Sequence, residues 1–339
     1  LTPNGFALDP SLFPLRVLRS GWSRVTPAFT AATCPARDLD EHIARVHADL
    51  AAALQERTEQ VIVHLARRAR AVTGARRLCL GGGVAMNCVS IGKIIEDGQF
   101  DQVYVPPAPG DSGTAIGGAL AAHRDLTGTV PGGLVRSCYL GPAYPDFTPA
   151  DLPPGMSARQ VPDPARFLTA QLAAGKIAGL FQGRLEAGPR ALGNRSILAS
   201  PLIPDVAERL NAAVKFREPF RPFAPVVLAE HADDYFRLTQ PSPFMSIAVP
   251  VTDLARDKIS AVVHANGTAR VQTVAPADNP FLADLLSHFA GLTGVPVLIN
   301  TSLNVKGKPI SGTPQMAVEC LASSGMDGLM LDGGWWVTK

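Results

Sequence analysis

Twice between residues 78 and 117 a short apolar strand pattern runs into a glycine-rich loop and then into a helical pattern. The first unit is Leu78-Cys79-Leu80 followed by GGGVAMN (81–87). The second is Val103-Tyr104-Val105 followed by PPAPGDSGTAIG (106–117). Tandem units of this kind build an α/β sheet whose loops at the strand C-termini hold ligands. Glycine lets backbone N–H groups approach a phosphate, and the start of the following helix adds a favourable dipole. Tight turns alone would also account for these glycines. Neither loop is GxGxxG or GxxxxGK[ST], so a nucleotide held here is held in another manner.

At 339 residues the chain is longer than one ordinary domain, and two domains are the default. A Pro/Gly-rich stretch from Thr127 to about Pro154 marks the expected connection, giving domains over 1–135 and 156–339 with a linker over 136–155. Residues 1–37 have weak periodicity and are expected to be irregular. From Asp38, Ile43, Val46, Leu50, Leu54, Val61 and Leu65 recur at helical spacing, with Asp38 and Glu41 as a capping pair and an end near Gly74. The histidines of this segment, His42, His47 and His64, lack the i, i+4 spacing of a metal pair. Beyond the connection, helices are expected near 165–174, 205–214, 280–291 and 314–322. Strands are expected at 177–182, 225–228, 245–251, 270–274, 296–300 and 328–331, a mixed α/β or α+β domain.

Composition limits the function classes. Apolar residues make up 46% and charged residues 18%, enough for sizeable cores and too little charge for a disordered chain. The net charge of +2 implies no bulk attraction to nucleic acid or membrane, so neither is an expected partner. No apolar run is long enough for a transmembrane helix, and no signal-peptide pattern precedes the loop-like start at Leu1. Cys34, Cys79, Cys88, Cys138 and Cys320 are scattered with no CxxC pair, as expected of free thiols in a cytoplasmic protein.

Arginines cluster in the second half. Arg184, Arg190 and Arg195 lie in QGRLEAGPRALGNRS (182–196), Arg217 and Arg221 in KFREPFRPFAP (215–225), and Arg270 in NGTARVQT (266–273). The strand at 296–300 ends in Asn300-Thr301-Ser302-Leu303-Asn304, a set of short polar side chains. Arginine captures phosphate or carboxylate bidentately and keeps its charge when buried. Solvated or salt-bridged arginine explains any single member, but GPRALGNRS has neither an amphipathic nor a hairpin rationale. The group therefore points to a small polyanionic ligand. There is no nucleophile elbow, HExxH or Walker lysine.

The blocks GGGVAMNCV (81–89), PAPGDSGTAIGGAL (107–120), EAGPRALGNRSIL (186–198), VKFREPFRPFAP (214–225), HANGTARVQTV (264–274) and INTSLNVKGKPI (299–310) resemble the O-carbamoyltransferases of nodulation-factor and antibiotic biosynthesis. The resemblance implies the C-terminal lobe of an actin/sugar-kinase-like ATPase domain followed by a YrdC-like α/β domain. It implies that the YrdC-like domain turns carbamoyl phosphate and ATP into carbamoyl adenylate and pyrophosphate. The ATPase-like domain then passes the carbamoyl group to a hydroxyl of a small natural product. By resemblance, Arg190, Arg221 and Ser302 are catalytic. They also bind carbamoyl phosphate, ATP or the adenylate, together with Met245, Arg270 and Asn300. Gly82, Gly83 and Asn87 form the acceptor or nucleotide loop, and Asp111 is the carboxylate ligand of a divalent metal, iron by the same resemblance, with Mg2+ accompanying ATP. The family's histidine metal ligands belong to an N-terminal half that this sequence does not contain. A longer protein or a partner chain is therefore expected.

Two other readings remain at this level. One is a threonylcarbamoyl-type tRNA-modifying or hydrogenase-maturation enzyme. The neutral charge balance stands against tRNA, and the lack of CxxC pairs against hydrogenase maturation. The other is a non-catalytic nucleotide-binding regulator, against which stands the complete Arg/Asn/Ser set.

Overall fold

In a computed structural model the structure describes residues 1–13, 25–38, 41–130, 137–149 and 152–339. By contact they form two compact units, one of residues 1–79 with 92–104 and one of residues 80–91 with 105–339. Part of the expected linker, 136–155, lies outside the described residues.

The first unit is built on a 29-residue helix, Arg45–Thr73. It starts later than the periodicity suggests. Glu41 accepts from the Asp38 N–H at 3.1 Å, so the expected pair meets ahead of the helix. The Ala44 N–H at the true start donates to His47 Nδ1 at 3.1 Å. Gly74, at φ +69°, ends the helix in the left-handed region that glycine adopts without strain. Strands β1 (Arg77–Cys79) and β2 (Gln102–Tyr104) pair in parallel. A short helix, Pro27–Ala32, interrupts the segment expected to be irregular.

The second unit contains strands β3 (Ser157–Gln160), β4 (Ala178–Phe181), β5 (Arg195–Ala199), β6 (Ala224–Leu228), β7 (Ala248–Pro250), β8 (Thr268–Arg270), β9 (Gln272–Val274), β10 (Val297–Ser302), β11 (Gly328–Leu331) and β12 (Trp335–Thr338). Eight form one mixed sheet in the order β3-β12-β11-β4-β5-β10-β6-β9, while β7 and β8 form a separate antiparallel pair. Within the large sheet β4–β11 and β6–β9 are parallel and the other neighbours antiparallel. Helices Pro164–Ala173 and Pro280–Thr293 pack Leu168, Leu172, Leu285 and Phe289 against Leu180, Leu198, Val226 and Leu298 of the sheet. Their starts follow one local rule, with Asp163 and Asn279 accepting from the N–H three residues on and a proline at the first helical position.

The expected helix at 205–214 is instead one α-helical turn, Val206–Arg209, that widens into a π-helical stretch, Leu210–Lys215. Strands β3, β5 and β12 were not anticipated. β3 is a polar edge strand, and β5 starts on a buried arginine and serine. Among the described residues no helix is long and apolar enough to cross a membrane, and the five cysteines are free.

Candidate active site: an arginine-lined cleft

The loop from Glu186 to Arg195 is fixed at both ends, which leaves its middle to present Arg190. Buried Glu186 accepts at Oε1 from the N–H groups of Leu192 (2.7 Å), Asn194 (2.8 Å) and Arg195 (3.1 Å). The Leu192 carbonyl accepts from Tyr139 Oη and Gln272 Nε2, each at 2.8 Å. At Gly188, φ is +120° and a Cβ would stand 2.2 Å from the Pro107 carbonyl oxygen, so only glycine fits. That contact joins the arginine loop to the second glycine-rich loop within the same compact unit.

Arg195 differs from Arg190. It has no exposed surface, lies over the Phe181 ring at 3.6 Å, and donates to the carbonyls of Gln182, Gly183, Asn194 and Pro142. This arginine of the GPRALGNRS motif is committed to the fold.

Arg190, Arg217, Arg221 and Arg270 line one cleft of about 760 Å³, whose wall also includes Cys88, Val89, Ser260, His264 and Asn266. Arg221 pairs with Glu218 at 2.8 Å, and Arg217 donates to Asn211 Oδ1 at 2.6 Å while lying over Phe223. Arg190 and Arg270 have no hydrogen-bond or acidic partner among the described residues. Burial pulls the Arg270 guanidinium down to about 10, and the neighbouring Arg190 charge acts in the same direction. Arg190 is lowered by burial, and Arg217 by burial and by Arg221. Arg190 and Arg270, crowded in this way without an acidic partner, favour an anion between them.

The remaining expected residues are not among those that line this cleft. Asn300 is buried, with its amide nitrogen donating to Gln272 Oε1 (2.7 Å) and to the carbonyl of Ala191 (3.3 Å), next to Arg190. Its Oδ1 is a buried acceptor without a partner. Ser302 donates to Asn304 Oδ1 at 2.6 Å. Met245 is buried at φ +53° and does not line the cleft. Gly82, at φ +91°, and Gly83 lead into a short helical turn, and Asn87 Oδ1 caps the following helix by accepting from the Ser90 N–H at 3.2 Å. Asp111 is exposed at the start of another turn. Among the described residues no three His, Cys, Asp or Glu side chains gather as a metal site, so Asp111 has no such companions there.

Sequence reasoning counted Arg217 in the arginine cluster without assigning it a role, and did not select Cys88, His264 or Lys215. The first three line the cleft. Lys215 is buried, and its ammonium donates to the Ser302 carbonyl, to Asn304 Oδ1 (2.8 Å) and to the Asn304 carbonyl (3.0 Å). Burial pulls it down to about 7. The signal for these residues was adjacency to selected ones, since each stands in a quoted motif.

An α/β unit that gathers four arginines around one cleft concentrates positive charge suited to a multiply charged anion. The chain matches the family described as carbamoyltransferase C-terminus over residues 169–339 and that described as carbamoyltransferase N-terminus over 26–120. It belongs to the carbamoyltransferase family. Nodulation protein NolO of Bradyrhizobium diazoefficiens is 39% identical over 293 residues, covering 84% of this chain and 54% of that protein. An uncharacterized protein of Synechocystis is 38% identical over 329 residues, covering 88% of this chain and 53% of that protein. Nodulation protein U of Rhizobium tropici is 41% identical over 256 residues, 76% of this chain and 43% of that protein. The chain thus spans about half the length of the curated relatives it matches. The solved structure of T. kodakarensis HypF gives a TM-score of 0.34 at 17% identity, covering 49% of this chain and 21% of that chain.

Proposed function

We propose that the chain is part of an ATP-dependent O-carbamoyltransferase and that the arginine cleft is its activation site. Carbamoyl phosphate, ATP and one water give carbamoyl adenylate, pyrophosphate and phosphate. The carbamoyl group then passes to a hydroxyl of a small natural product, an antibiotic precursor or a sugar. The observation that carries this reading is the placement of Arg190 and Arg270, unpaired, in one cleft with Arg217 and Arg221. Both substrates are polyanions, and guanidinium groups stabilise charge on phosphoryl oxygens as it shifts during transfer. Asn300 Oδ1, buried and unpartnered, is an acceptor suited to the carbamoyl amide or the adenine amino group.

In this reading residues 156–339 form the YrdC-like domain, the preceding segment is the C-terminal lobe of the ATPase-like domain, and the protein is cytoplasmic. Gly82, Gly83 and Asn87 belong to the acceptor side. The divalent metal implied by the family would take Asp111 as one ligand and histidines from outside this chain. The test is pyrophosphate release by the complete enzyme with ATP, with and without carbamoyl phosphate, alongside mass analysis of candidate acceptors. Release that needs carbamoyl phosphate supports the reading. Release that ignores it, or none at all, overturns it.

A further inference from the structure

The activation step as proposed consumes a water, and a proton must leave that water. The four arginines of the cleft only donate. His264 lines the same cleft, and its tautomer is fixed by its neighbours. The backbone N–H of Thr268 donates to the side-chain oxygen of Asn266 at 3.2 Å, which identifies that atom as Oδ1 and not the amide nitrogen. Thr268 Oγ1 stands 2.8 Å from the same Oδ1, so its hydroxyl proton lies between the two oxygens. The lone pairs of Oγ1 are then turned to His264 Nδ1, 3.0 Å away, and Nδ1 must carry the proton. A neutral His264 therefore keeps Nε2 as a free base, with no partner among the described residues.

We propose that His264 is the general base of carbamoyl-phosphate cleavage, accepting at Nε2 the proton of the attacking water. This role rests on the function proposed above. The water oxygen bonds to phosphorus as the bond from phosphorus to the carbamoyl oxygen breaks. Carbamate leaves with that electron pair, phosphate is released, and the proton resides on the imidazole until solvent takes it. Carbamate then attacks the α-phosphorus of ATP and pyrophosphate leaves. Arg190 and Arg270 hold the charged oxygens, and with Arg217, Arg221 (paired with Glu218) and the Cys88 thiol they are the charged and titratable groups that line the cleft with the imidazole among the described residues. Burial, and then the Arg270 charge, lowers His264 from the usual histidine value, keeping the base form at neutral pH.

The experiment compares wild type, His264→Gln and Cys88→Ser in the complete enzyme, with two carbamoyl sources. One is carbamoyl phosphate, and the other is carbamate formed from bicarbonate and ammonia, which needs no water attack. The expected result is a His264→Gln enzyme whose carbamoyl-phosphate-dependent pyrophosphate release has a kcat roughly 100-fold or more below wild type, with KM changed only a few-fold. Its carbamate-supported release stays near wild type, and the acidic limb of the pH profile is lost. Cys88→Ser keeps that limb. Equal loss with both carbamoyl sources would assign His264 to binding or folding and overturn the base role, as would undiminished release from carbamoyl phosphate. A wild-type enzyme inactive with carbamoyl phosphate but active with carbamate would overturn the use of carbamoyl phosphate, and this role with it. A wild-type enzyme inactive with both would overturn the function proposed above.

Discussion

Arg195→Met separates the structural arginine of the GPRALGNRS loop from Arg190, the one proposed to bind ligand. Methionine keeps much of the aliphatic stem and its packing on Phe181, but it removes the guanidinium that four main-chain carbonyls share. Each hydrogen bond to a charged group contributes ~1.5–3 kcal/mol. Relief of the desolvation that lowers the Arg195 pKa offsets part of the sum. Because main-chain carbonyls cannot be deleted along with their donor, the net cost should resemble that of breaking a buried pair from one side, ~3–5 kcal/mol. In a unit of this size that lowers Tm by roughly 6–20 °C. Thermal and urea unfolding measure it, with Arg195→Lys expected to recover less than half, since one ammonium cannot reach carbonyls spread around a planar fork. A Tm within ~2 °C of wild type for the methionine variant would refute the structural assignment.

Arg190→Ala should leave Tm near wild type while weakening carbamoyl phosphate or ATP binding by ~2–3 kcal/mol, roughly 30- to 150-fold, measured by calorimetry. Gly188→Ala forces a left-handed φ and a Cβ into the Pro107 carbonyl, so it should lose both ~2 kcal/mol or more of stability and most of the Arg190-dependent affinity. Lys215 binds protons less readily in the fold than in the unfolded chain, whose lysine titrates in its ordinary range. Its presence therefore penalises stability below about pH 7, and the penalty fades as pH rises from about 7 toward that range. Denaturation across pH 6–10, with Lys215→Met as reference, should show wild type gaining on the variant over that window.

Local rules explain what could be read from the residues. The two strand–loop–helix units and the strands at β4, β6 and β11 lie in apolar runs bounded by glycine or proline, and the helices at 164–173 and 280–293 start on proline behind a polar cap. Long-range commitments were not readable. Arg195 looks like a ligand residue in sequence, because only the carbonyls of residues 142, 182, 183 and 194 converging on it reveal its structural work. The widened helix at 210–215 has no local signal that distinguishes it from an α-helix, yet it ends on the buried Lys215. His264 has no distinctive spacing either, and its tautomer emerges only once the turn places Asn266 and Thr268 beside it. The strand β12 was hidden by GGWW, where Gly328 leaves room for the Trp336 ring, 2.1 Å from the position a Cβ would take.

The claim that the cleft activates carbamate as an adenylate is tested most directly by isotope exchange. The complete enzyme is incubated with ATP, labelled pyrophosphate and carbamoyl phosphate, without acceptor. Reversible adenylate formation predicts that label enters ATP only when carbamoyl phosphate is present and that Arg190→Ala and Arg270→Ala abolish the exchange. Exchange that proceeds equally without carbamoyl phosphate, or ATP consumed to ADP with no label returned, would contradict the account.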